Sequence, residues 1–450
     1  MSMNNTVELE TAQEPQIRVA IIGAGIGGLA LLAALHIFDQ NNKLDINLYE
    51  SAHQITEIGA GIGMWPRTWN IMKELGFDEP LGNFLSSIPD NNEHIAWQLR
   101  KADQPEGIHI QNLKINGSIL GFHRADVQQT FLQRTNPNSI HVNKRLTSFE
   151  ETPQEGIHLH FNDGSSAKCD ILVGMDGINS VVRKGLLIKQ GLSTSASLDP
   201  VWTGTIAYRG LIEQAGLEAM FPGHRVLTTP VMYVGKLRHA IAYPVQHEDG
   251  KVLVNVAAFV GNPSKENTPY SEAPVSPCTQ EEILDAYAGW EPEFQALLQC
   301  LSQAKRWPIA DLIPLDSYAS GQIFIGGDAA HAMPPHQGSG AGQAIEDAYI
   351  LAKLLSHPKA TKVLIPKISE VYNSIRQPRG NRVLAASIRT GLLCEFLAPG
   401  FEHVREGDAH VPFDKLHEVA ELLSKELEWT WKESAEGDVE RALEMFTGGL

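Results

Sequence analysis

Clustered positive charge is missing from this chain: 36 Lys and Arg stand against 53 Asp and Glu, a formal net charge of −17. No basic run exceeds scattered pairs, and neutralising duplex phosphates needs clustered cations, so nucleic acid is excluded as a partner class. Cysteine is scarce. Cys169, Cys278, Cys300 and Cys394 lie far apart with no CxxC pair, which offers neither a zinc site nor a disulfide framework and predicts reduced thiols in a cytoplasmic protein. The opening MSMNNTVELETAQEP lacks the positive and apolar regions of a secretory signal and is expected to be a disordered tail. One apolar window, VAIIGAGIGGLALLAALHIF, approaches the length of a membrane span, but glycines divide it in a nucleotide-loop pattern, so it reads as strand, turn and helix. Repeats and low-complexity blocks are absent too, and the Pro/Ser-rich stretch from Asn262 to Pro277 predicts a surface loop.

What is present suits a soluble globular protein of more than one domain. The chain has 450 residues, 43% hydrophobic, too many for one ordinary core. Ile17 to Ile22 form a β-branched apolar run, followed by Gly23-Ala24-Gly25-Ile26-Gly27-Gly28 and a helix-forming LALLAALHIF. In this GxGxxG, Gly23, Gly25 and Gly28 permit a tight turn, close backbone approach to a pyrophosphate and close packing of helix on strand. A second strand, Leu44 to Tyr49, ends at Glu50, 22 residues beyond Gly28. A carboxylate there accepts from ribose hydroxyls and repels a 2′-phosphate, which fits FAD or NAD and not NADP at this site.

Two further segments favour FAD. Asp170 to Arg183 reads as a buried strand running into Asp176-Gly177 and a helix start; Gln322 to His331 is another buried strand ending in Gly-Asp at Asp328. An Asp at that strand end can accept from the polyol chain of FAD, which NAD lacks. After it, Gln343 to Leu355 carries a helical apolar stripe preceded by Gly338-Ser339-Gly340-Ala341-Gly342. The helix N-terminus would stabilise negative charge on a reduced flavin.

These three segments resemble the fingerprints of the class A flavoprotein monooxygenases, the fold family of para-hydroxybenzoate hydroxylase. Within it the chain looks most like salicylate hydroxylase, through AYRG at Ala207–Gly210, MYVG at Met232–Gly235, YPV at Tyr243, DAYAGW at Asp285–Trp290 and PHQGSGAGQAIEDAY at Pro335–Tyr349. The resemblance implies bound FAD, NADH or NADPH as co-substrate, and hydroxylation of a phenolic aromatic substrate by O₂ through a flavin hydroperoxide, with or without loss of a ring carboxylate as CO₂. It puts the adenosine ribose on Glu50, the middle of the flavin on Gly63 in EIGAGIG, and a pyrophosphate or ribityl contact on Arg124, with Asp328 and Ala341 completing the set. Asp176 and Gly177 would lie near flavin and nicotinamide. The substrate sheet would offer Arg209 to hold a carboxylate or phenolate and Tyr233 and Tyr243 to meet a substrate oxygen. His336 would supply a proton relay or substrate contact, while His331 reads as structural. One departure bears on a salicylate carboxylate anchor: Pro244 is followed by Val245-Gln246-His247, where relatives often carry Arg.

The implied fold class is α/β: a Rossmann-like FAD-binding domain (14–90, 118–185, 300–390) with an inserted mixed β-sheet substrate domain (91–117, 186–299) and a C-terminal helical segment (391–450). Two rival readings stay open, an epoxidase or ortho-hydroxylase of a non-carboxylated phenol and a non-catalytic flavin-binding protein. A halogenase would carry WxWxIP, which is absent. Substrate, choice of nicotinamide and oligomeric state are not written in the sequence.

Overall fold

The computed structural model describes residues 16–55, 61–85, 89–152, 154–194, 196–246, 251–271 and 273–448. The expected N-terminal tail, the Glu57–Ala60 part of EIGAGIG and His247 lie outside them. The β-branched run forms strand Ile17–Ile22, the centre of a six-stranded sheet. Across that sheet the order is Ala319–Ser320, Ile323–Ile325, Ile171–Gly174, Ile17–Ile22, Leu44–Tyr49, Ile140–His141. All its pairings are parallel except the Ala319–Ser320 hairpin. Parallel strands buried on both faces must be apolar throughout, and Ile171–Gly174 and Ile323–Ile325 are fully buried runs.

Helix Ile26–Phe38 buries its first ten residues because it is sandwiched between this sheet and helix Gly340–Leu355. Gly27 sets the closeness of the two helices: a Cβ there would stand 3.0 Å from that of Ala344. The helix expected over Gln343 to Leu355 thus exists and begins at Gly340.

The second layer is an eight-stranded mixed sheet ordered Ser276–Pro277, Lys305–Asp311, Val201–Glu213, Val252–Gly261, Arg238–Gln246, Val231–Gly235, Glu93–Lys101, Ile108–Asn116. Its one parallel pairing joins Val231–Gly235 to Glu93–Lys101. Lys305–Asp311 pairs antiparallel with Val201–Glu213, so this sheet takes in a strand that the sequence reading gave to the nucleotide layer from residue 300 on. Pairing across a long chain separation leaves no local pattern, which is why the sequence alone does not show that this strand joins the eight-stranded sheet. The 30-residue helix Ile365–Cys394 also crosses the boundary expected at 391, and helices Phe413–Leu427, Trp429–Lys432 and Glu436–Thr447 follow it.

A buried ionic network joins helices Pro66–Glu74, Asp328–His331, Gly340–Leu355 and Ile365–Cys394. Arg376 bonds Asp347 at 2.7 Å and Glu346 at 3.0 Å, Arg67 bonds Glu346 at 2.5 Å, and His331 bonds Asp347 at 2.7 Å. Asp347 also accepts the Gly327 N–H at 2.8 Å, tying helix Gly340–Leu355 to the turn before Asp328.

Candidate active site

A cavity of about 320 Å³ lies where the two layers meet. Its nucleotide-side wall contains Gly25, Gly27, Gly177, Asp328 and the Gly338–Ala341 helix start; its sheet-side wall contains Arg209, Tyr243, Asn255, Ala257 and Phe259. Strand register explains the second set. Arg209 pairs with Ala257, which pairs with Ile241, while Tyr243 pairs with Asn255, so these positions share one face of the pleat.

The residues fit a dinucleotide. Gly23 adopts φ +100° and, like Gly28, has no room for a Cβ, which would strike Met175 and the Gly23 carbonyl respectively. These two glycines make the turn, whereas Gly25 lines the cavity with open space where a Cβ would point. Glu50 stands at the turn: its carboxylate accepts the Ala24 N–H at 2.7 Å and the Ala52 N–H at 2.7 Å. Within the buried run from Ile323 to His331 only the Asp328 side chain is exposed, and it lines the cavity. Gly63, Arg124 and Ala341 line it as well. Two guanidinium groups, Arg124 and Arg209, facing one cavity suit a polyanion. The Arg209 side chain makes no hydrogen bond among the described residues, and its guanidinium lies 5.9 Å from the Trp307 ring centre. Burial lowers its pKa, with Tyr243 opposing and Arg124 adding to that shift.

Asp176 is placed differently from expectation. Its carboxylate accepts the Ser180 hydroxyl at 2.5 Å and the Val181 and Val182 N–H groups at 2.8 and 3.2 Å. It therefore caps helix Val181–Lys189, and its neighbour Gly177 is the one that faces the cavity. Burial raises the pKa of this carboxyl, against those hydrogen bonds.

A second cavity, about 250 Å³, adjoins the first and shares Gly63, Ile241, Tyr243 and Gly338 with it. Its walls are apolar, built by Trp65, Trp97, Met232, Ile241, Pro244 and Leu427 among others. Tyr243 and His336 are the titratable side chains among its described lining residues, and none of these is an acid, Lys or Arg. Burial raises the Tyr243 pKa while Arg209 lowers it, and burial lowers that of His336 well below the ordinary value, so its imidazole is neutral. Arg209 borders the first cavity and not this one.

Tyr233 lines neither cavity. It is fully buried on the Phe294 ring, 4.8 Å between centres, and its hydroxyl has no partner among the described residues. The cause is parity: Met232 pairs with Ile241 and shares its face, and Tyr233, one residue on, points the other way. Met232 is the cavity-lining position that sequence reasoning missed; the Met232–Gly235 match named the strand, but the pleat chose the side chain. His331 is structural, as expected, bonded to Asp347.

Comparison with known proteins agrees with this geometry. A family model described as an FAD binding domain matches residues 275–387. Salicylate hydroxylase of Pseudomonas putida is 33% identical over 437 residues, covering 96% of this chain and 95% of that protein. A 6-methylsalicylate 1-monooxygenase of Aspergillus terreus is 33% identical over 384 residues, 83% of this chain and 82% of its own length. A solved salicylate hydroxylase substrate complex superposes with a TM-score of 0.78 at 29% identity, covering 95% of this chain and 98% of that one.

Proposed function

This chain belongs to the FAD-dependent aromatic monooxygenase family of the salicylate hydroxylases, and from that premise we propose that it hydroxylates a phenolic ring held in the apolar cavity, with NADH or NADPH as reductant and O₂ as oxidant. The observation that carries the reading is the shared wall at Tyr243: a ring filling the apolar cavity would lie next to whatever fills the cofactor cavity. FAD, when bound, takes reducing equivalents from the nicotinamide and activates dioxygen. The chain's own residues do the remainder. Gly25, Asp328 and the Gly340 helix start would hold the dinucleotide, with Arg124 and Arg209 countering its charge. Trp65, Trp97, Met232 and Leu427 would orient the ring and exclude water. Tyr243 would bond the phenolic oxygen, and the neutral His336 imidazole would accept its proton, raising the electron density of the ring at its ortho and para carbons.

The walls allow two outcomes. The names of the relatives support attack at a carboxylate-bearing carbon with release of CO₂. The lack of a cation among the described residues of the apolar cavity supports hydroxylation of a neutral phenol instead. A screen of hydroxybenzoates, phenols and prenylated phenols for stimulated NAD(P)H oxidation tests the hydroxylase reading, which fails if no phenol raises the rate. Hydroxybenzoates labelled at the carboxyl carbon then separate the outcomes by counting released label against hydroxylated product. The reading includes a cytoplasmic setting, supported by four unbridged cysteines; among the described residues no helix is long and apolar enough to cross a membrane.

A further inference from the structure

Next to His336 lies a cleft of about 130 Å³ whose mixed lining includes Thr205, Asn262, Glu266, Asp311 and Glu395, and His336 belongs to its wall as well as to that of the apolar cavity. Between the two spaces three rings pack together. His239 stacks on Phe259 at 4.5 Å, and His336 meets both edge-on, at 4.8 Å from His239 and 5.2 Å from Phe259. The chain of groups continues outward, for His239 Nδ1 is 3.0 Å from Glu395 Oε1. The Nδ1 of His336 is buried and without a partner among the described residues.

We infer that His336, His239 and Glu395 form a proton path that carries the phenolic proton from the apolar cavity to this second cleft, where Asp311 and Glu266 pass it to solvent. The inference rests on the hydroxylase reading. A half-buried imidazole packed against Gly391, His239 and Phe259 holds a proton poorly, since the charged form loses much of its hydration. The two imidazole ring centres are 4.8 Å apart, and along the proposed path the proton taken by His336 passes to His239. Glu395 receives it in its ionised form, having released its own proton to the cleft, and the substrate is left as phenolate with no change in oxidation state.

The surroundings of Glu395 favour this role. Burial pushes its carboxyl up to about 8 and pushes His239 down to about 3, so the resting pair is a neutral imidazole against a carboxyl that titrates near physiological pH. The other charged or titratable groups packed nearby are committed elsewhere: Arg238 to Glu406, Lys236 to the Phe396 carbonyl at 2.7 Å, and the Tyr287 hydroxyl to the Phe259 carbonyl at 2.8 Å. Cys394 is buried and its pKa is raised beyond the working range. On the cleft side Asp311, raised to about 6 by burial and by Glu266, stands with exposed Glu266 and Asn262 at the surface.

The test uses the FAD-loaded protein with a nitrophenol as the bound chromophore, since its phenolate absorbs in the visible. After a pH jump, ionisation of the bound ligand should slow on the order of 100-fold in Glu395→Gln, as for loss of a proton-transfer group, with FAD content and ligand Kd unchanged. Asp311→Asn, a change at the cleft and not in the ring cluster, should slow it several-fold and raise the solvent-deuterium effect. Wild-type ionisation rates in both variants overturn the path. So does a loss that appears only in Kd or FAD content, because a packing role would give that. Absence of any phenol stimulation in the wild-type protein sinks the hydroxylase reading itself, and the path with it, before either variant is made.

Discussion

Arg209 stands over Trp307 with its guanidinium 5.9 Å from the ring centre, and this contact holds the charge at the cofactor cavity and away from the apolar one. A positive charge there favours the anionic reduced flavin over the neutral oxidised one. Arg209→Ala should therefore make the flavin midpoint potential more negative and slow reduction, while phenol affinity changes little. Dye-equilibrated photoreduction reads the potential. An unchanged potential with abolished phenol binding would return Arg209 to the substrate role that the sequence suggested.

In the proposed cofactor site Glu50 would meet the adenosine ribose and Asp328 the polyol chain of a bound FAD. Each should cost about 1–3 kcal/mol of FAD affinity on truncation to Ala, the range for a lost charged hydrogen bond. Only Glu50→Ala should also lower Tm in the absence of FAD, because its carboxylate anchors the Ala24 and Ala52 N–H groups. Flavin fluorescence after ultrafiltration measures the first effect and apo-protein melting the second.

Tyr233 and Tyr243 should part company on removal of a single oxygen atom. The buried Tyr233 hydroxyl has no partner among the described residues, so Tyr233→Phe relieves a desolvated polar group and should raise stability by up to about 1 kcal/mol with turnover intact. Tyr243→Phe leaves both cavity walls in place and should reduce phenol-stimulated turnover by on the order of tenfold or more. Equal effects of the two substitutions would contradict the parity assignment.

Glu346 makes the fold sensitive to acid. Burial pushes its carboxyl up, but Arg376 and Arg67 outweigh this and hold it at about 2, below the roughly 4.3 of an unfolded chain. A depressed folded value stabilises the protein fully above the unfolded pKa, and that contribution is lost as pH falls from roughly 4.3 towards 2. Melting temperature should drop steeply across that window. Glu346→Gln should start lower at pH 7, since Arg376 and Arg67 lose a buried partner, and then lose less on acidification. Parallel wild-type and variant curves would show that other groups carry the acid response.

The nucleotide layer was legible because its signals are local. Gly23, Gly25 and Gly28 sit within one strand-turn-helix unit, Glu50 ends the next strand, and Asp328 ends a third apolar run, so neighbouring residues alone dictate turn geometry, helix start and charge placement. Resemblance extended that reading to the cofactor and the family. Tertiary structure decided everything that depends on which strands meet and in what register. Of two adjacent residues, Tyr233, which the sequence offered for the substrate, lies in the core, and Met232, to which it gave no role, lines the cavity, because a period of two puts them on opposite faces. Arg209 lines the larger cavity because Val201–Glu213 pairs with Val252–Gly261, and Asp176 became a cap because a helix starts five residues later. His239 and Glu395, 156 residues apart, came together only when the last turn of helix Ile365–Cys394 packed on the sheet: a contact of that range leaves no trace in periodicity, spacing or composition, and exists only once the core is closed.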